Sequence, residues 1–201
     1  KTRTFGCVPA SAEPKLDGVL DDPCWQDAQR ITGAYRDSDL SLVNGMMTVR
    51  AVHGDKGVYL GISSVEPQPE KMSFGTKGDD DPGLWQVDDI EIFVAPKEGG
   101  EYYHLIYDAK AARCDYKKTE LSWNGGWKVA CQLKDKLWTS EVFLPFGTFG
   151  GKDRPWRIFV GRGSPTRGEF YGITPIQGSW HDVSQFGTLD FQRVAHLAGQ
   201  L

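Results

Sequence analysis

The sequence has no uninterrupted apolar stretch near the roughly 20 residues that a membrane-spanning helix requires, so no membrane insertion is expected. Its first residues, Lys1-Thr2-Arg3-Thr4-Phe5-Gly6-Cys7, lack the apolar run of a secretion signal. No serine nucleophile elbow, HExxH pair, phosphate-binding GxxxxGK[ST] loop or CxxC spacing occurs, which removes the strongest hydrolase, zincin, nucleotide and zinc-ribbon signatures. Gly161-Arg162-Gly163 is too short to bind a dinucleotide. Positive charge is also scarce: 23 Lys and Arg face 27 Asp and Glu, for a net charge of −4. Arg162 and Arg167 make too small a basic patch, and no nucleic-acid partner is expected. Glycine is plentiful instead, at 24 residues, which disfavours long helices and demands many turns.

What remains is one self-sufficient domain of 201 residues. A compact chain of this mass buries about 70% of its extended surface, enough for a core without staples. Seven tryptophans are the feature that needs explaining. Cys7, Cys24, Cys114 and Cys131 are even in number and allow two disulfides. Short loops favour Cys7 with Cys24 and Cys114 with Cys131; four free core thiols are the alternative.

The periodicity is that of strands. Apolar alternation or β-branched runs predict strands at 46–52, 58–65, 90–95, 102–108, 113–117, 127–133, 137–144, 156–161 and 187–192. Gly54-Asp55-Lys56-Gly57 and Lys97-Glu98-Gly99-Gly100 read as hairpin turns. Cys114 and Cys131 are expected to face each other from neighbouring strands. Asp21 or Asp22 can cap a short helix that begins at Pro23 and ends before Gly33, with Trp25 pinning the corner to the core. Two long loops, 66–84 and 161–178, interrupt the pattern without marking a domain boundary. The expected fold is an all-β, antiparallel β-sandwich of immunoglobulin-like or jelly-roll type with a short N-terminal helix.

Trp127, Trp138 and Trp156 lie within apolar alternation and are assigned to the core, while Trp123 sits in a turn-like sequence, Ser122-Trp123-Asn124-Gly125-Gly126, and stays open. Trp85 and Trp180 follow the long loops and are available to stack on a ligand. Flat rings cover the C–H faces of a sugar while a few polar groups fix its hydroxyls, and Glu91, His104, Arg162, Gln177, His181, Asp182 and Gln185 supply that polarity. Arg162 has the alternative of pairing with a carboxylate at the sandwich rim. Asp79, Asp80 and Asp81 on the first loop, and Asp17, Asp21 and Asp22 near the N-terminus, are oxygen clusters that suit calcium or simply solvated surface. Asp89 and Glu91, two apart on a strand, share a face and give an acid–base pair to a glycan-acting enzyme if one is present.

The blocks Leu16-Asp17-Gly18-Val19-Leu20-Asp21-Asp22-Pro23-Cys24-Trp25, Val58-Tyr59-Leu60-Gly61-Ile62, Asp88-Asp89-Ile90-Glu91-Ile92-Phe93 and Trp138-Thr139-Ser140-Glu141-Val142-Phe143-Leu144-Pro145-Phe146 occur in an ordered series. With Trp156-Arg157-Ile158-Phe159-Val160-Gly161-Arg162 and Phe186-Gly187-Thr188-Leu189 they resemble the family 9 carbohydrate-binding modules and their relatives over residues 13–192. The resemblance implies a sandwich used for non-catalytic saccharide binding, in which Trp85 and Trp180 clamp a terminal sugar and Glu91 takes its hydroxyls. It also implies structural calcium, no organic cofactor, an extracellular or periplasmic setting and an attached catalytic domain. The loop 161–177 departs from the pattern, so Arg162, Gln177 and His181 are secondary contacts. Two other readings stand beside it: a structural or protein-interaction sandwich, and a haem-binding redox module using Met46, Met47 or Met72 with His53, His104 or His181.

Overall fold

The computed structural model describes residues 2–97, 99 and 101–192. It begins with two short strands, β1 (Thr4–Gly6) and β2 (Val8–Pro9), and a single helical turn, α1 (Cys24–Asp27). The helix is shorter than its sequence suggests. Its cap residue is Pro23, with no side-chain cap bond, because the Asp22 carboxylate instead accepts from the Lys15 amide at 3.0 Å. Gly33 does not end the helix; at φ +76° it forms a bulge within β3 (Ile31–Arg36).

The strands that follow are β4 (Leu42–His53), β5 (Gly57–Val65), β6 (Asp89–Ala95), β7 (Tyr103–Asp108) and β8 (Arg113–Lys117). Then come β9 (Lys128–Lys134), β10 (Leu137–Pro145), one helical turn α2 (Phe146–Phe149), β11 (Trp156–Ser164), β12 (Glu169–Gly172) and β13 (Gly187–Asp190). They form a curled sheet in the order β8-β7-β6-β11-β12-β3-β4-β5-β10-β9. The long pairings are antiparallel, while β1 lies parallel to β13 and β2 parallel to β4. Only two residue pairs join β12 to β3, and the sheet folds over at this seam into two layers. The fold is an all-β sandwich. The Gly54–Gly57 hairpin turn closes as expected, with the Gly54 amide 3.0 Å from the Gly57 carbonyl. Glu98 and Gly100 of the other expected turn lie outside the described residues, but the strands it joins, β6 and β7, are antiparallel neighbours.

Alternation sets what faces the core. Ile90, Ile92 and Val94 of β6, Leu105 and Tyr107 of β7, and Ile158 and Val160 of β11 meet Val49, Ala51, Leu60, Ile62 and Val142 of the other layer. Trp127, Trp138 and Trp156 are buried here as expected, and Trp123 packs on the same core, stacked on Tyr103 at 4.7 Å. The layers are also tied by polar contacts: the hydroxyls of Tyr107 and Ser140 lie 2.7 Å apart. Trp25 pins its corner as anticipated, donating from Nε1 to Glu141 Oε1 at 3.0 Å. Glu141 Oε2 accepts the Asp17 and Gly18 amides at 2.9 and 3.0 Å, so a buried carboxylate on β10 staples the N-terminal segment to the sheet.

All four cysteines are free thiols, which corrects the disulfide expectation. Cys114 points outward from β8 onto Leu84 and Ile106, whereas Cys131 packs against the inner core from β9, at the opposite end of the strand order. Cys7 faces the central core and Cys24 a separate cluster with Trp25 and Tyr59. Proximity in sequence does not bring these side chains together.

Candidate functional site

The outer face of the β8-β7-β6-β11 layer carries two separate apolar clusters, one under the loop 66–84 and one under the segment 173–186; the loop expected at 161–178 instead contains the end of β11 and all of β12. On one side Leu84, Ile106 and Cys114 are buried together with Val87 and Tyr116 packed against them. On the other, Phe93 and Phe159 receive Ile176 and Phe186 from the segment between β12 and β13. Each fully buried Leu, Ile or Phe contributes about 1.5–3 kcal/mol, so both loops are firmly docked. Between them lies an open cleft of about 710 Å³.

Trp85 stands on the first bank, in a 3-10 turn (Leu84–Gln86) whose Leu84 is the anchor. Its indole is 58% exposed, the most exposed large apolar side chain of the described residues. Trp180 stands on the second bank, half-buried. Its ring lies against β11 where residue 161 is glycine; a Cβ there would fall 2.6 Å from Trp180 Cζ3. Phe159 meets it edge-on at 5.1 Å, and its Nε1 donates to Asp37 Oδ1 at 3.0 Å. Trp180 is therefore held on three sides.

Between the banks are Glu91 and His104, with Ile106 and Tyr116 beside them. His104 Nε2 lies 2.5 Å from Glu91 Oε2. The His104 ring is stacked on Phe93 at 4.0 Å and on Tyr116 at 5.6 Å. His181 also lines the cleft, with Nδ1 2.9 Å from the Tyr102 hydroxyl. Burial holds the His181 imidazole below its ordinary pKa, aided by His104 and opposed by Glu91, so it is neutral at pH 7. Asp37, Phe170, Lys118, Thr119 and Gly178 complete the lining.

The structure thus gathers Trp85, Trp180, Glu91 and His181 at one cleft, and separates Arg162 and Gln177 from it. Arg162 is fully buried on the inner face, donating to Glu66 Oε2 at 2.9 Å with its guanidinium 5.0 Å above the Trp138 ring. Arg167 pairs with the same Glu66. An Arg at an inner strand position must find carboxylates, and loop residue Glu66 supplies one. Gln177 staples its own loop, exchanging bonds of 2.8 and 3.0 Å with the Gln185 side chain. Asp182 accepts from Ser184 and from Gln185, stiffening the bank that carries Trp180.

Asp89 shares the outer face with Glu91 but is sealed from solvent, accepting from the Gly163 amide at 3.1 Å while Oδ2 has no hydrogen-bond partner among the described residues. Burial, then the Glu91 charge, pushes its pKa well up. The two carboxylates do not both open onto the cleft. The aspartate clusters are also dispersed: Asp79 pairs with Arg113 at 2.9 Å, Asp81 accepts three loop amides, and Asp17 pairs with Lys15 at 3.0 Å. Among the described residues no three Asp, Glu, His or Cys side chains converge as a group that could hold a metal ion. Met46, Met47 and Met72 all pack on the inner core, whereas His104 and His181 occupy the outer cleft.

Asp37, Tyr116 and Phe170 are cleft residues that the sequence did not reveal. Asp37 follows β3, and Phe170 lies on β12, strands whose residues carry no clear alternation. Tyr116 had a readable signal, since it is two residues from Cys114 on a recognised strand.

No family model matches the chain, and no curated protein does. Solved structures do resemble it. A family 9 carbohydrate-binding module from Caldicellulosiruptor kristjanssonii, in complex with cellotriose, superimposes with a TM-score of 0.70 at 11% identity, covering 99% of this chain and 100% of that one. The same organism's module in complex with glucose gives 0.69 at 11%, covering 96% and 100%. A candidate carbohydrate-binding protein from Bacteroides uniformis gives 0.73 at 14%, again covering 96% and 100%. The fold is that of the family 9 carbohydrate-binding modules.

Proposed function

We propose, from that fold and this cleft, that the domain binds a saccharide without turning it over. A pyranose has two apolar C–H faces and an equatorial belt of hydroxyls. Its faces suit the indoles of Trp85 and Trp180, and its hydroxyls suit the carboxylate of Glu91 between them. The observation that carries the reading is this juxtaposition: an exposed tryptophan and a fixed tryptophan line one cleft with an acceptor carboxylate. A chain terminus is the ligand we expect there, and the solved structures named for cellotriose and glucose point to glucose-based ligands for a first trial.

Calorimetric titration with cellotriose and glucose tests it, using the wild type, Trp85→Ala and Trp180→Ala. Each loss of a stacking ring is expected to weaken binding by about tenfold or more, some 1.4 kcal/mol. Unchanged affinity in both variants refutes the clamp. Release of shorter products on prolonged incubation refutes the non-catalytic reading.

A further inference from the structure

The carboxylate in the cleft is not free to choose its rotamer. We infer that His104 is a positioning residue that dedicates Glu91 Oε2 to itself and leaves Oε1 as the acceptor for ligand, making the cleft selective for groups that donate hydrogen bonds. This rests on the saccharide reading and narrows it to neutral sugars presenting hydroxyls, against acidic sugars.

The placement follows from strand register. On antiparallel β6 and β7, Glu91 is opposite Ile106 and His104 is opposite Phe93, so Glu91 and His104 are diagonal neighbours on the outer face. Long side chains reach across that diagonal, and these two do, with 2.5 Å between Nε2 and Oε2. The imidazole has little freedom to leave. Phe93 and Tyr116 hold its two faces, and His181 stands perpendicular to it at 5.2 Å. An ionised carboxylate only accepts, so the proton of this bond sits on His104 Nε2. Glu91 Oε2 is then occupied, while Oε1 has no hydrogen bond to any other described residue.

The groups around the pair do not compete for it. His181 is engaged with Tyr102, and Lys118 lines the cleft without an ion pair among the described residues, so it is the one lining cation that can draw a ligand carboxylate and must be removed when selectivity at Oε1 is read. Tyr116 contributes a ring face. A sugar hydroxyl donating to Oε1 completes the carboxylate's coordination. A ligand carboxylate at the same place would set two acceptors against each other, with no proton between them.

Three substitutions separate positioning from packing. His104→Gln carries an amide nitrogen close to the position of Nε2 and can restore the donor. His104→Asn is too short to reach, and His104→Phe keeps the stack but has no donor. With all three shown to be folded by their melting transitions, His104→Gln is expected to bind cellotriose within about threefold of wild type. The other two are expected to bind about tenfold or more weakly, as for loss of a hydrogen bond to a charged group. With Lys118→Gln removing the cleft's lysine, a uronate trimer is expected to bind at least about tenfold more weakly than cellotriose binds the same variant.

Wild-type affinity in folded His104→Phe overturns the positioning role, and equal affinity of Lys118→Gln for the uronate overturns the selectivity. A ligand-free readout keeps these failures distinct from failure of the saccharide reading. Imidazole nitrogen shifts are expected to show a protonated Nε2 on His104, altered by Glu91→Gln; a bare Nε2 overturns the pairing whatever the protein binds. A wild type that binds no saccharide overturns the saccharide reading and the selectivity resting on it, while the nitrogen shifts still decide the pairing.

Discussion

Adding a single methyl group at Gly161 should disable the cleft from beneath. An alanine Cβ there would stand 2.6 Å from Trp180 Cζ3, 2.8 Å from Cη2 and 3.0 Å from Phe159 Cε1. Carbon atoms rest about 3.5–4.0 Å apart, so the indole must retreat by roughly 1 Å. Asp37, 3.0 Å from Trp180 Nε1, then loses its hydrogen bond unless it follows. Gly161 has no positive φ, so the backbone itself accepts alanine and gains about 0.5–1 kcal/mol from the loss of glycine's freedom. Overpacking costs about 1–3 kcal/mol, leaving a net loss between about 0 and 2.5 kcal/mol. At about 2–4 °C per kcal/mol for a domain of this size, the melting temperature should fall by a few degrees while the protein stays folded. Saccharide affinity should fall about tenfold, because the ring is displaced from its place in the cleft that Trp85 also lines. The assay is calorimetry in a double-mutant cycle with Trp180→Ala. With the indole gone, the strongest clash goes too, so Gly161→Ala should then cost little further affinity. Full affinity in Gly161→Ala, or the same loss in both backgrounds, refutes the reasoning.

Asp89 predicts a pH effect on stability. Its folded pKa is raised by burial and by Glu91, so the native state keeps a proton that the unfolded chain releases above about pH 4. That contribution is fully present below the unfolded value and is lost as pH rises toward the folded one. Chemical denaturation of wild type and Asp89→Asn from pH 4 to 8 should show the variant gaining relative stability with pH; a constant difference contradicts this. The thiols give another test. Burial pushes Cys24 up to about 11 and Cys131 up to about 12, and raises Cys7 and Cys114 as well. A thiol reagent at pH 8 should react slowly with native protein and count four thiols after unfolding, and reductant should leave the melting temperature unchanged. A count below four contradicts the free-thiol structure.

Much of the sandwich was legible because strands buried on one face write themselves as alternation. Tyr103, Leu105 and Tyr107, and Trp127, Val129, Cys131 and Leu133, show it, while the apolar runs at 58–65 and 137–144 became β5 and β10, which pair along their whole length. Strands β3 and β12 were hidden: a bulge at Gly33 breaks the period in one, and the other is four residues long. The banks of the cleft were visible as two long loops each followed by a tryptophan, since a ring outside the alternation has no core position to fill. What those loops dock on was not visible, because Phe93 and Phe159 belong to the outer face and look like ordinary strand residues. Arg162 illustrates the limit of local reading. The sequence puts it just past a strand, in the loop 161–178, whereas it lies on β11 itself, and only the chain's return through Glu66 shows that the strand's inner face can hold a charge. The cysteines make the same point, since Cys114 and Cys131 lie on strands at opposite ends of the sheet order.

Seven tryptophans offer seven indole N–H reporters, and titration with cellotriose followed by proton–nitrogen NMR addresses the central claim directly. Trp25, Trp123, Trp127, Trp138 and Trp156 pack in the protein and should keep their resonances, while those of Trp85 and Trp180 shift together along one saturable curve. Saturation that leaves both of these indoles unmoved would contradict the account.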